Sequence, residues 1–475
     1  MKKLIRMICL LIAIVAVWFM LNSILQFKSE DGIDQMRAFY KQEKNTIDVL
    51  FLGSSHTYCN VNTGLLWDEY GITGFDLDGP EQPFWNNYYY MKEALKYQKP
   101  KVIVLDVFVP GVYKDDFQGE HWMMYNIYGM KWSRERIEAQ KVSSVEGNFF
   151  KRLIPFISEH NRYQDVNKED FVYSNHTINY KGFDPREGIE VLNRPDISMI
   201  DERTPLSNKA ETYYRKIIEL AEEENIPLVV VNPPFVVSED AQKVYNYVFD
   251  IAIEKQVPYL DYNKMYDEVG IDFNYDMAEW SHLNRSGNEK FTRHLGKYLV
   301  DHYSLENHKG NPKYESWNID SDIQKQDNAR YKLSNTWIFN EYLSQLKNEN
   351  YLSIITIRGN NDLLKLTEEN KLQLRNIGIT DDVFVNGATI IYEYGTVKTI
   401  DEEEFEVYLE RNKADFVVSR KYNEFRDEFN TVFMKDQECF INQNGINIAV
   451  YDKYLDRVVD IVGFVINEDM RVIRE

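Results

Sequence analysis

The sequence predicts an α/β fold in which a mostly parallel β-sheet is covered by helices. From Ile47 onward, short apolar runs alternate with amphipathic segments, and this alternation is typical of strand–helix–strand units. Runs such as Leu228 to Val231 contain no polar residues, as expected of strands that are buried on both faces. A change to polar, aperiodic sequence at about 305–345 indicates that a second folded region follows the first.

Five strands and five helices are predicted in the first region. The strands are predicted at 47–53, 74–79, 101–109, 226–234 and 257–262. The helices are predicted at 60–70, 84–97, 206–224, 238–255 and 284–303. Residues from about 110 to 205 interrupt this order and are rich in aromatic and charged residues. We interpret them as an insertion that either caps a site or decorates the surface.

The N-terminus carries a segment that is long and apolar enough to cross a membrane. Met7 to Leu25 is an almost uninterrupted apolar run, close to the roughly 20 residues that a membrane-spanning helix needs. Lys2, Lys3 and Arg6 precede this run, so the positive-inside rule predicts that the rest of the chain lies outside the cell membrane. A cleaved signal peptide is the alternative, but no good small-x-small cleavage site follows the run. We therefore predict a single-pass membrane protein whose folded part is extracytoplasmic.

The charge and the cysteines exclude several classes of function. The chain has a formal net charge of −21 and no long basic block, whereas phosphate binding needs clustered Lys and Arg, so we expect no nucleic-acid partner. The cysteines, Cys9, Cys59 and Cys439, do not suggest a disulfide framework. Neither a CxxC nor an HExxH pattern occurs. We predict no metal site and no other cofactor.

A pair of serines follows the first predicted strand, in the sequence FLGSSHT. Ligands of a parallel α/β sheet bind at the carboxyl ends of its strands, and Ser54 and Ser55 lie at such an end. A serine at a tight strand-to-helix turn has an exposed hydroxyl and has backbone N–H groups nearby that can stabilise an oxyanion. The alternative, which is more common for an isolated pair, is that the serines only cap the following helix.

A histidine follows the last predicted strand of the same region. His282 lies in DMAEWSHLNRSG at the start of an amphipathic helix, close to Asp276 and Glu279. A serine that attacks an acyl carbon needs a base to accept its proton, and the base needs a partner that fixes its tautomer and stabilises its cation. Ser55, His282 and either Glu279 or Asp276 could supply these groups. Their order along the chain suits a sheet that brings the ends of its first and last strands together.

These motifs, FLGSSHT with the later Glu279-x-x-His282, resemble the first and last sequence blocks of the SGNH/GDSL esterases and acyltransferases. The resemblance covers about residues 45–305 and implies a flavodoxin-like parallel sheet. It implies that Ser55 is the nucleophile and that His282 is the base. It also implies that the backbone N–H groups of Ser55 and Gly79 form the oxyanion hole.

Two departures from the family pattern leave parts of the site open. The last block of the family is Asp-x-x-His, whereas here the acid is Glu279, and Asp276 could take its place. The Gly-x-Asn-Asp block is missing, because the third strand ends in VIVLDVFVPG. Gln82, Asn86 and Asn87 could substitute for its asparagine, although a structural role is more common. The pattern is similar to that of divergent outer-surface members, including the D-alanyl transfer protein of teichoic acid assembly and the alginate O-acetylation proteins.

Other residues near the motifs are more often structural than functional. His56 adjoins Ser55 and is predicted to be pocket wall or structural, and Cys59 is predicted to be a small buried residue of the first helix. Aromatic residues at helical spacing could stack on sugar rings, although packing on one helix face is the more common role. These residues are Trp85, Tyr88, Tyr89 and Tyr90.

The C-terminal region again alternates strands and helices. Strands are predicted at 351–357, 383–395, 414–420, 445–452 and 458–466, and helices near 367–376 and 401–411. The segments YLSIITIRGNNDLLKLTEENKLQLRNIGI and NQNGINIAVYDKYLDRVVDIVGFVIN resemble the interleukin-like EMT inducer domain over about 348–470. The resemblance implies glycan binding, and a spacer or protein-contact module is the alternative. The predicted organisation is an anchor at 1–28, an SGNH hydrolase-like domain at 29–305, a linker at 306–347 and a smaller α/β domain at 348–475.

Two hypotheses for the function follow. The first is a membrane-anchored serine esterase or O-acyltransferase that acts on acyl groups, with acetyl as the expected group, of a cell-envelope polysaccharide. Transfer would need an acyl donor outside the cell and hence a multi-spanning membrane partner, whereas hydrolysis would need none. The second is a catalytically inactive scaffold or glycan-binding protein of envelope assembly, in which Ser55 and His282 would be too far apart to share a hydrogen bond.

Overall fold

The chain folds into two compact units, Met1–Ser321 and Asp322–Glu475. The computed structural model describes residues 2–113, 116, 119–145, 149–152, 154–171, 180–359, 363–400, 405–411, 414–422, 428–434, 437–439, 444–466 and 470–474. The boundary between the two units, after Ser321, falls later than the predicted start of the linker at 306.

The first helix, α1, covers Lys2–Leu25. It is long and apolar enough to cross a membrane, and a signal sequence would pass the same test. Its side chains from Lys3 to Met20 are exposed, whereas Asn22 and Leu25 are buried against the residues that follow. The last turn of α1 is therefore the part of the helix that the rest of the unit contacts.

The first unit contains a five-stranded parallel sheet. Its strands are β1 (Val49–Leu52), β2 (Gly74–Asp76), β3 (Val102–Asp106), β4 (Leu228–Asn232) and β5 (Tyr259–Asp261). Their order is β2-β1-β3-β4-β5, and every neighbouring pair is parallel. This is the flavodoxin-like order, with a switch point next to β1. The predicted fold class is thus confirmed, and each strand lies within its predicted range.

Helices cover both faces of this sheet. After α1 they are α2 (Ile33–Phe39), α3 (Ser55–Tyr58), α4 (Thr63–Tyr70), α5 (Phe84–Ala94), α6 (Val109–Val112), α7 (Glu120–Tyr128), α8 (Arg134–Ser143), α9 (Phe149–Arg152), α10 (Pro155–Ser158), α11 (Asn208–Glu223), α12 (Glu239–Glu254), α13 (Tyr266–Val269) and α14 (Arg285–His302). The five longer helices predicted from amphipathic periodicity correspond to α4, α5, α11, α12 and α14. Helices α6 to α10 belong to the segment predicted as an insertion.

Alternate residues of each strand enter different cores, which explains the uninterrupted apolar runs. Leu50 and Leu52 belong to the core that contains the buried residues of α5, α11 and α12. Val49 and Phe51 belong to the core that contains those of α4 and α14. Because successive side chains of a strand point to opposite faces, both faces of β1 must be apolar.

The second unit is built on two antiparallel sheets. Helix α15 (Glu315–Ser334) contains the boundary between the units, and α16 (Phe339–Gln345), α17 (Glu368–Asn376) and α18 (Asp381–Asn386) follow it. The strands are β6 (Tyr351–Arg358), β7 (Thr389–Glu393), β8 (Thr396–Ile400), β9 (Phe405–Arg411), β10 (Ala414–Tyr422), β11 (Glu428–Met434), β12 (Gln437–Glu438), β13 (Gly445–Asp452), β14 (Arg457–Val465) and β15 (Arg471–Arg474). The sheet orders are β15-β14-β13-β6-β7-β8 and β12-β11-β10-β9.

Three predictions for residues after 305 differ from the structure. The segment 306–347 contains α15 and α16, and its helical periodicity is hidden because several buried positions of α15 are polar: Ser321, Gln324 and Asp327. The helix predicted near 401–411 is instead β9, which pairs with β10, so strand pairing overrides the helix propensity of its glutamates. The strand predicted at 383–395 begins as α18 and becomes β7 only at Thr389.

Candidate active site

The serine turn connects β1 to the single turn of α3. Gly53 follows β1, Ser54 caps the helix by accepting a hydrogen bond from His56 N at 3.3 Å, and Ser55 is its first residue. A Cβ atom at Gly53 would lie 2.2 Å from Thr57 Oγ1, so only glycine fits there. The turn is therefore tight, and it leaves Ser55 at the carboxyl end of β1.

A buried carboxylate holds this turn from behind. Asp106, the last residue of β3, accepts hydrogen bonds through Oδ2 from Ser54 Oγ at 2.7 Å and from Ser54 N at 3.1 Å. Its Oδ1 accepts one from Phe108 N at 2.8 Å. Burial raises the pKa of Asp106 to about 6, against the lowering effect of these hydrogen bonds. Burial also raises the pKa values of the neighbouring Asp76 and Asp78.

The other serine of the turn contacts the predicted base. His282 Nε2 lies 2.8 Å from Ser55 Oγ, although the two residues are 227 positions apart in the chain. His282 Nδ1 is hydrogen-bonded to Glu279 Oε1. With Nδ1–H donated to the carboxylate, Nε2 is left to accept the proton of Ser55. Ser55, His282 and Glu279 thus form a continuous hydrogen-bonded series.

The carboxylate of this series remains charged. Burial alone would raise the pKa of Glu279, but hydrogen bonds from His282 and Ser281 lower it to about 2. Ser281 donates to Glu279 through its hydroxyl at 2.7 Å and through its backbone N–H at 3.0 Å. Glu279 is therefore ionised at neutral pH and can stabilise a cationic His282.

The loop that carries the histidine is fixed at both of its ends. Ala278 N donates to His282 O at 3.0 Å, which closes a tight turn around residues 279–281. Leu283 N donates to Asn60 Oδ1 at 3.1 Å, which connects the loop to the residues after α3. Asn284 then caps α14 by accepting hydrogen bonds from Ser286 N and Gly287 N. These contacts bring the end of the sheet domain back to the serine turn.

Asp276, the second predicted carboxylate, lies in a different environment. It is fully buried, and its Oδ2 forms an ion pair with Lys290 Nζ at 2.5 Å and accepts a hydrogen bond from Asp272 N at 2.7 Å. Glu279 is therefore the carboxylate beside His282, and Asp276 stabilises the base of the loop.

Two of the predicted oxyanion residues, Gly79 and Gln82, lie in the loop after β2, and the third, Ser55, follows β1. A Cβ atom at Gly79 would lie 2.1 Å from Asn126 Oδ1, so the glycine is required by close packing. Gln82 is buried and donates through Nε2 to Asn87 Oδ1 at 2.6 Å, which commits one of its amide hydrogens to the loop. Ser55 begins α3, and the first N–H groups of a helix have no intrahelical acceptor.

Two buried residues that shape the site were not predicted. Asn126 of α7 donates through Nδ2 to Pro80 O at 3.0 Å and packs against Gly79, so it holds the loop after β2. Asp106 holds the serine turn. Asn126 lies within an apolar helical stretch that carries no recognisable motif, whereas a polar residue at the end of an apolar strand could have indicated Asp106.

His56 packs behind the reactive histidine. Its ring is fully buried, stacks on Phe108 with centroids 3.4 Å apart and lies 5.0 Å from the ring of His282. Neither of its ring nitrogens has a hydrogen-bond partner in the described part of the chain. Burial, followed by the proximity of His282, lowers the pKa of His56 well below its ordinary value. His56 is therefore neutral and packs in the interior of the unit, and its role as a wall or structural residue stays a prediction.

A cavity of about 570 Å³ lies beside these residues. Its lining includes Glu81, two residues after Gly79, and Val109, one residue after Phe108. Tyr113 is also part of the lining, and burial, Glu81 and Glu279 together raise the pKa of its hydroxyl. Apolar side chains form most of the remaining wall: Pro83, Phe84, Trp85, Pro110, Val112, Leu206, Ala210 and Val244. Neither Ser55 nor His282 lines the cavity, so it adjoins the hydrogen-bonded series and does not contain it.

Metal and thiol chemistry have little support in the described part of the chain. No group of three or more His, Cys, Asp or Glu side chains there could hold a metal ion. The cysteines are free, and Cys59 and Cys439 are buried. Burial raises the pKa of the Cys59 thiol well above its ordinary value, which makes it a poor nucleophile.

The chain is similar to solved structures over about half of its length. No family profile and no curated protein matches the sequence. Among solved structures, the chain is similar to a protein assigned to the G-D-S-L lipolytic family from Desulfitobacterium hafniense, with 14% identity, a TM-score of 0.28, and 54% of this chain and 100% of the other covered. It is also similar to a protein assigned as an acylhydrolase from Bacteroides fragilis, with 13% identity, a TM-score of 0.27, and 56% and 93% covered. These values are too low to carry an argument about chemistry.

Proposed function

We propose that this protein is a serine esterase or O-acyltransferase that works through an acyl-enzyme on Ser55. The observation that carries the proposal is the series from Ser55 Oγ to His282 Nε2, at 2.8 Å, and from His282 Nδ1 to Glu279. A serine, a base and an orienting carboxylate in this arrangement are the elements of nucleophilic acyl transfer. An inactive scaffold would have no need to keep the serine and the histidine within hydrogen-bond distance.

The first half-reaction forms the acyl-enzyme. Ser55 Oγ attacks the acyl carbon while His282 Nε2 takes the hydroxyl proton, and the charge of Glu279 stabilises the resulting imidazolium. The oxygen of the tetrahedral intermediate needs hydrogen-bond donors, and we assign this role to the N–H groups of Ser55 and Gly79. His282 then gives its proton to the departing alkoxide oxygen as the ester bond breaks.

The second half-reaction depends on the acceptor. His282 removes a proton from water or from a sugar hydroxyl, whose oxygen attacks the acyl carbon. The bond between the acyl carbon and Ser55 Oγ then breaks, and His282 returns the proton to Ser55. Water as the acceptor gives an esterase, and a sugar hydroxyl gives an O-acyltransferase. Transfer requires that the site excludes water while it admits the sugar.

The proposed substrate is an acyl group, with acetyl as the expected case, of a cell-envelope polysaccharide. Two features support it: α1 could keep the chain in the cell membrane, and the cavity lined by Tyr113, which interacts electrostatically with Glu279, has room for more than an acetyl group. Retention of α1 would place the catalytic unit outside the cytoplasm. A transferase would also need a multi-spanning membrane partner that supplies the acyl donor, and the second unit is proposed to bind the glycan.

Intact-mass spectrometry of the full chain in detergent micelles tests this proposal. The wild-type protein and Ser55→Ala are each exposed to an activated acetyl ester, and Ser54→Ala serves as the matched control. A single acetyl adduct that is present in the wild type and in Ser54→Ala, but absent from Ser55→Ala, would establish the acyl-enzyme. Equal labelling of all three proteins would refute it and favour the scaffold hypothesis, which glycan binding by the full chain would then test.

A further inference from the structure

Several large apolar side chains are exposed on the segment that contacts the end of α1. Five of them, here called the collar, each have at least 42% of their surface exposed: Phe150, Phe156, Ile157, Tyr163 and Phe171. Apolar surface that stays in water forgoes the free energy that its burial would provide. Exposed apolar groups concentrated in one short segment mark an interaction surface.

The collar segment is connected to the last turn of α1 by direct contacts. Phe156 N donates to Asn22 Oδ1 at 2.9 Å, and Arg162 Nη1 donates to Leu25 O at 2.8 Å. The guanidinium of Arg162 also lies 4.3 Å from the centroid of the Phe27 ring. Asn22 is three residues before the end of α1, or about 4.5 Å along the helix axis. Phe156 therefore lies at the level of the last helical turn.

The last turn of α1 is also where a membrane-spanning helix would leave the hydrocarbon. The apolar run from Met7 to Leu25 extends about 28 Å, close to the roughly 30 Å thickness of the hydrocarbon core. The level of Asn22 then coincides with the outer boundary of the bilayer. Aromatic side chains are enriched at this boundary, because their rings are apolar and their edges tolerate water.

We propose that the collar inserts into the outer boundary of the bilayer, with its five side chains among lipid headgroups and upper acyl chains. The inference rests on the proposed function in one respect, since it requires α1 to remain in the membrane. A lipid surface is the occupant that the contacts favour, because the collar is joined to a helix whose exposed side chains would themselves be surrounded by lipid.

The short segment between α1 and α2 limits the height of the serine turn above the end of α1. Asp31 Oδ2 accepts a hydrogen bond from Tyr58 Oη at 3.2 Å, and Tyr58 is the last residue of α3. The six residues from Leu25 to Asp31 span at most about 20 Å. The start of α3, where Ser55 lies, is thus tied to a point at most about 20 Å from the end of α1.

Site-directed spin labelling of the full chain in lipid nanodiscs tests the collar. Nitroxides are attached to Phe156→Cys and Tyr163→Cys, each in a Cys9→Ser background, since Cys59 and Cys439 are buried. The control is Ile253→Cys, because Ile253 is exposed to a similar degree on α12, near the opposite edge of the sheet from the serine turn. The native Cys9, which is exposed on α1, provides a reference for lipid.

Power saturation then compares the access of oxygen, which dissolves in lipid, with that of a nickel chelate, which stays in water. We expect the oxygen-to-nickel ratio at both collar positions to exceed that at Ile253→Cys by about threefold or more. If the oxygen-to-nickel ratios at the collar positions equal that of the control while the label at Cys9 lies in lipid, the proposed insertion of the collar is wrong and the membrane anchor is retained. A water-exposed Cys9 would overturn both. The acetyl adduct on Ser55 is unaffected by either result, so the chemistry is judged separately.

Discussion

Two neighbouring serines in the turn after β1 face different environments. Ser54 donates to the fully buried Asp106, and this buried side of the turn also holds carboxyls whose pKa values are raised by burial. Ser55 contacts His282, whose side chain is 17% exposed, and this reactive side holds Glu279, whose pKa is lowered. The same residue type therefore contributes packing on one side and, in the proposed mechanism, chemistry on the other.

The difference shows how a tight turn separates structural from chemical roles. On the buried side, the carboxyl of Asp106 accepts backbone and hydroxyl hydrogen bonds and fixes the position of the turn. On the side of Ser55, the charged Glu279 is hydrogen-bonded to the partly exposed His282, and the proposed function assigns proton exchange with a substrate to this pair. Substitutions on the buried side should therefore change mainly stability, and those on the reactive side mainly turnover.

Replacing each serine by alanine should give the largest difference. Ser55→Ala removes the nucleophile, so turnover of a soluble ester should fall by about 10³-fold or more with little change in Tm. Ser54→Ala removes the cap of α3 and a partner of Asp106, so it should lower the free energy of unfolding by about 1–2 kcal/mol. Its turnover should fall much less than that of Ser55→Ala. Comparable losses of kcat/KM in both variants would contradict the separation of a structural role for Ser54 from a chemical role for Ser55.

Replacing each of the two carboxylates predicted near His282 by its amide tests the Ser55 side of the turn next. Glu279→Gln keeps the size of the side chain but removes the charge beside Nδ1, so kcat should fall by about 10²-fold. Asp276→Asn loses the ion pair with Lys290 and should lower Tm while kcat stays within about threefold of wild type. Steady-state kinetics with a soluble ester measures both. The reverse ranking would assign the orientation of His282 to Asp276.

The pH dependence of stability tests the buried side. Burial raises the pKa of Asp106 to about 6, so the folded protein binds the proton of this carboxyl more tightly than the unfolded chain does. The stability that this proton contributes is fully present below about pH 4 and is lost as the pH rises through about 6. Asp106→Asn cannot ionise. From pH 5 to pH 8 its free energy of unfolding should therefore change relative to wild type by about 1–2 kcal/mol in favour of the variant. A difference that is constant across this range would exclude the raised pKa of Asp106.

The smallest effect is expected at His56. His56→Phe replaces a neutral ring without hydrogen-bond partners by another flat ring that can stack on Phe108, so kcat/KM should stay within about threefold of wild type. His282→Phe, by comparison, should lose about 10³-fold or more, because it removes the base. A large loss in His56→Phe would mean that His56 takes part in proton transfer.

The parallel sheet could be predicted because its sequence signals are local. Leu50 and Phe51 are both apolar since both faces of β1 are covered, and this produces the run that identifies a buried strand. The positions of Ser55 and His282 followed from the same sheet, because the carboxyl ends of parallel strands share one edge. The choice of Glu279 as the acid beside His282 required coordinates, since Asp276 is only three residues earlier.

Residues that act through distant contacts could not be predicted. Asn126 lies on α7 and contacts Pro80 in the loop of Gly79, although the two residues are 46 positions apart in the chain. No local spacing in the sequence therefore connects them. In the second unit, β9 is a strand because β10 pairs with it, whereas its glutamates alone favour a helix. The glycan-binding role of this unit, and its resemblance to the interleukin-like EMT inducer domain, remain predictions.

The separation of 227 residues between Ser55 and His282 has a consequence for biosynthesis. A growing polypeptide contains the serine long before the histidine has been translated, so the serine has no base during most of its synthesis. A product that is truncated or cleaved before residue 282 keeps the apolar N-terminal helix and the serine, yet it cannot activate the hydroxyl. If Ser55 acts as proposed, only a chain that has been synthesised beyond His282 and folded can be reactive.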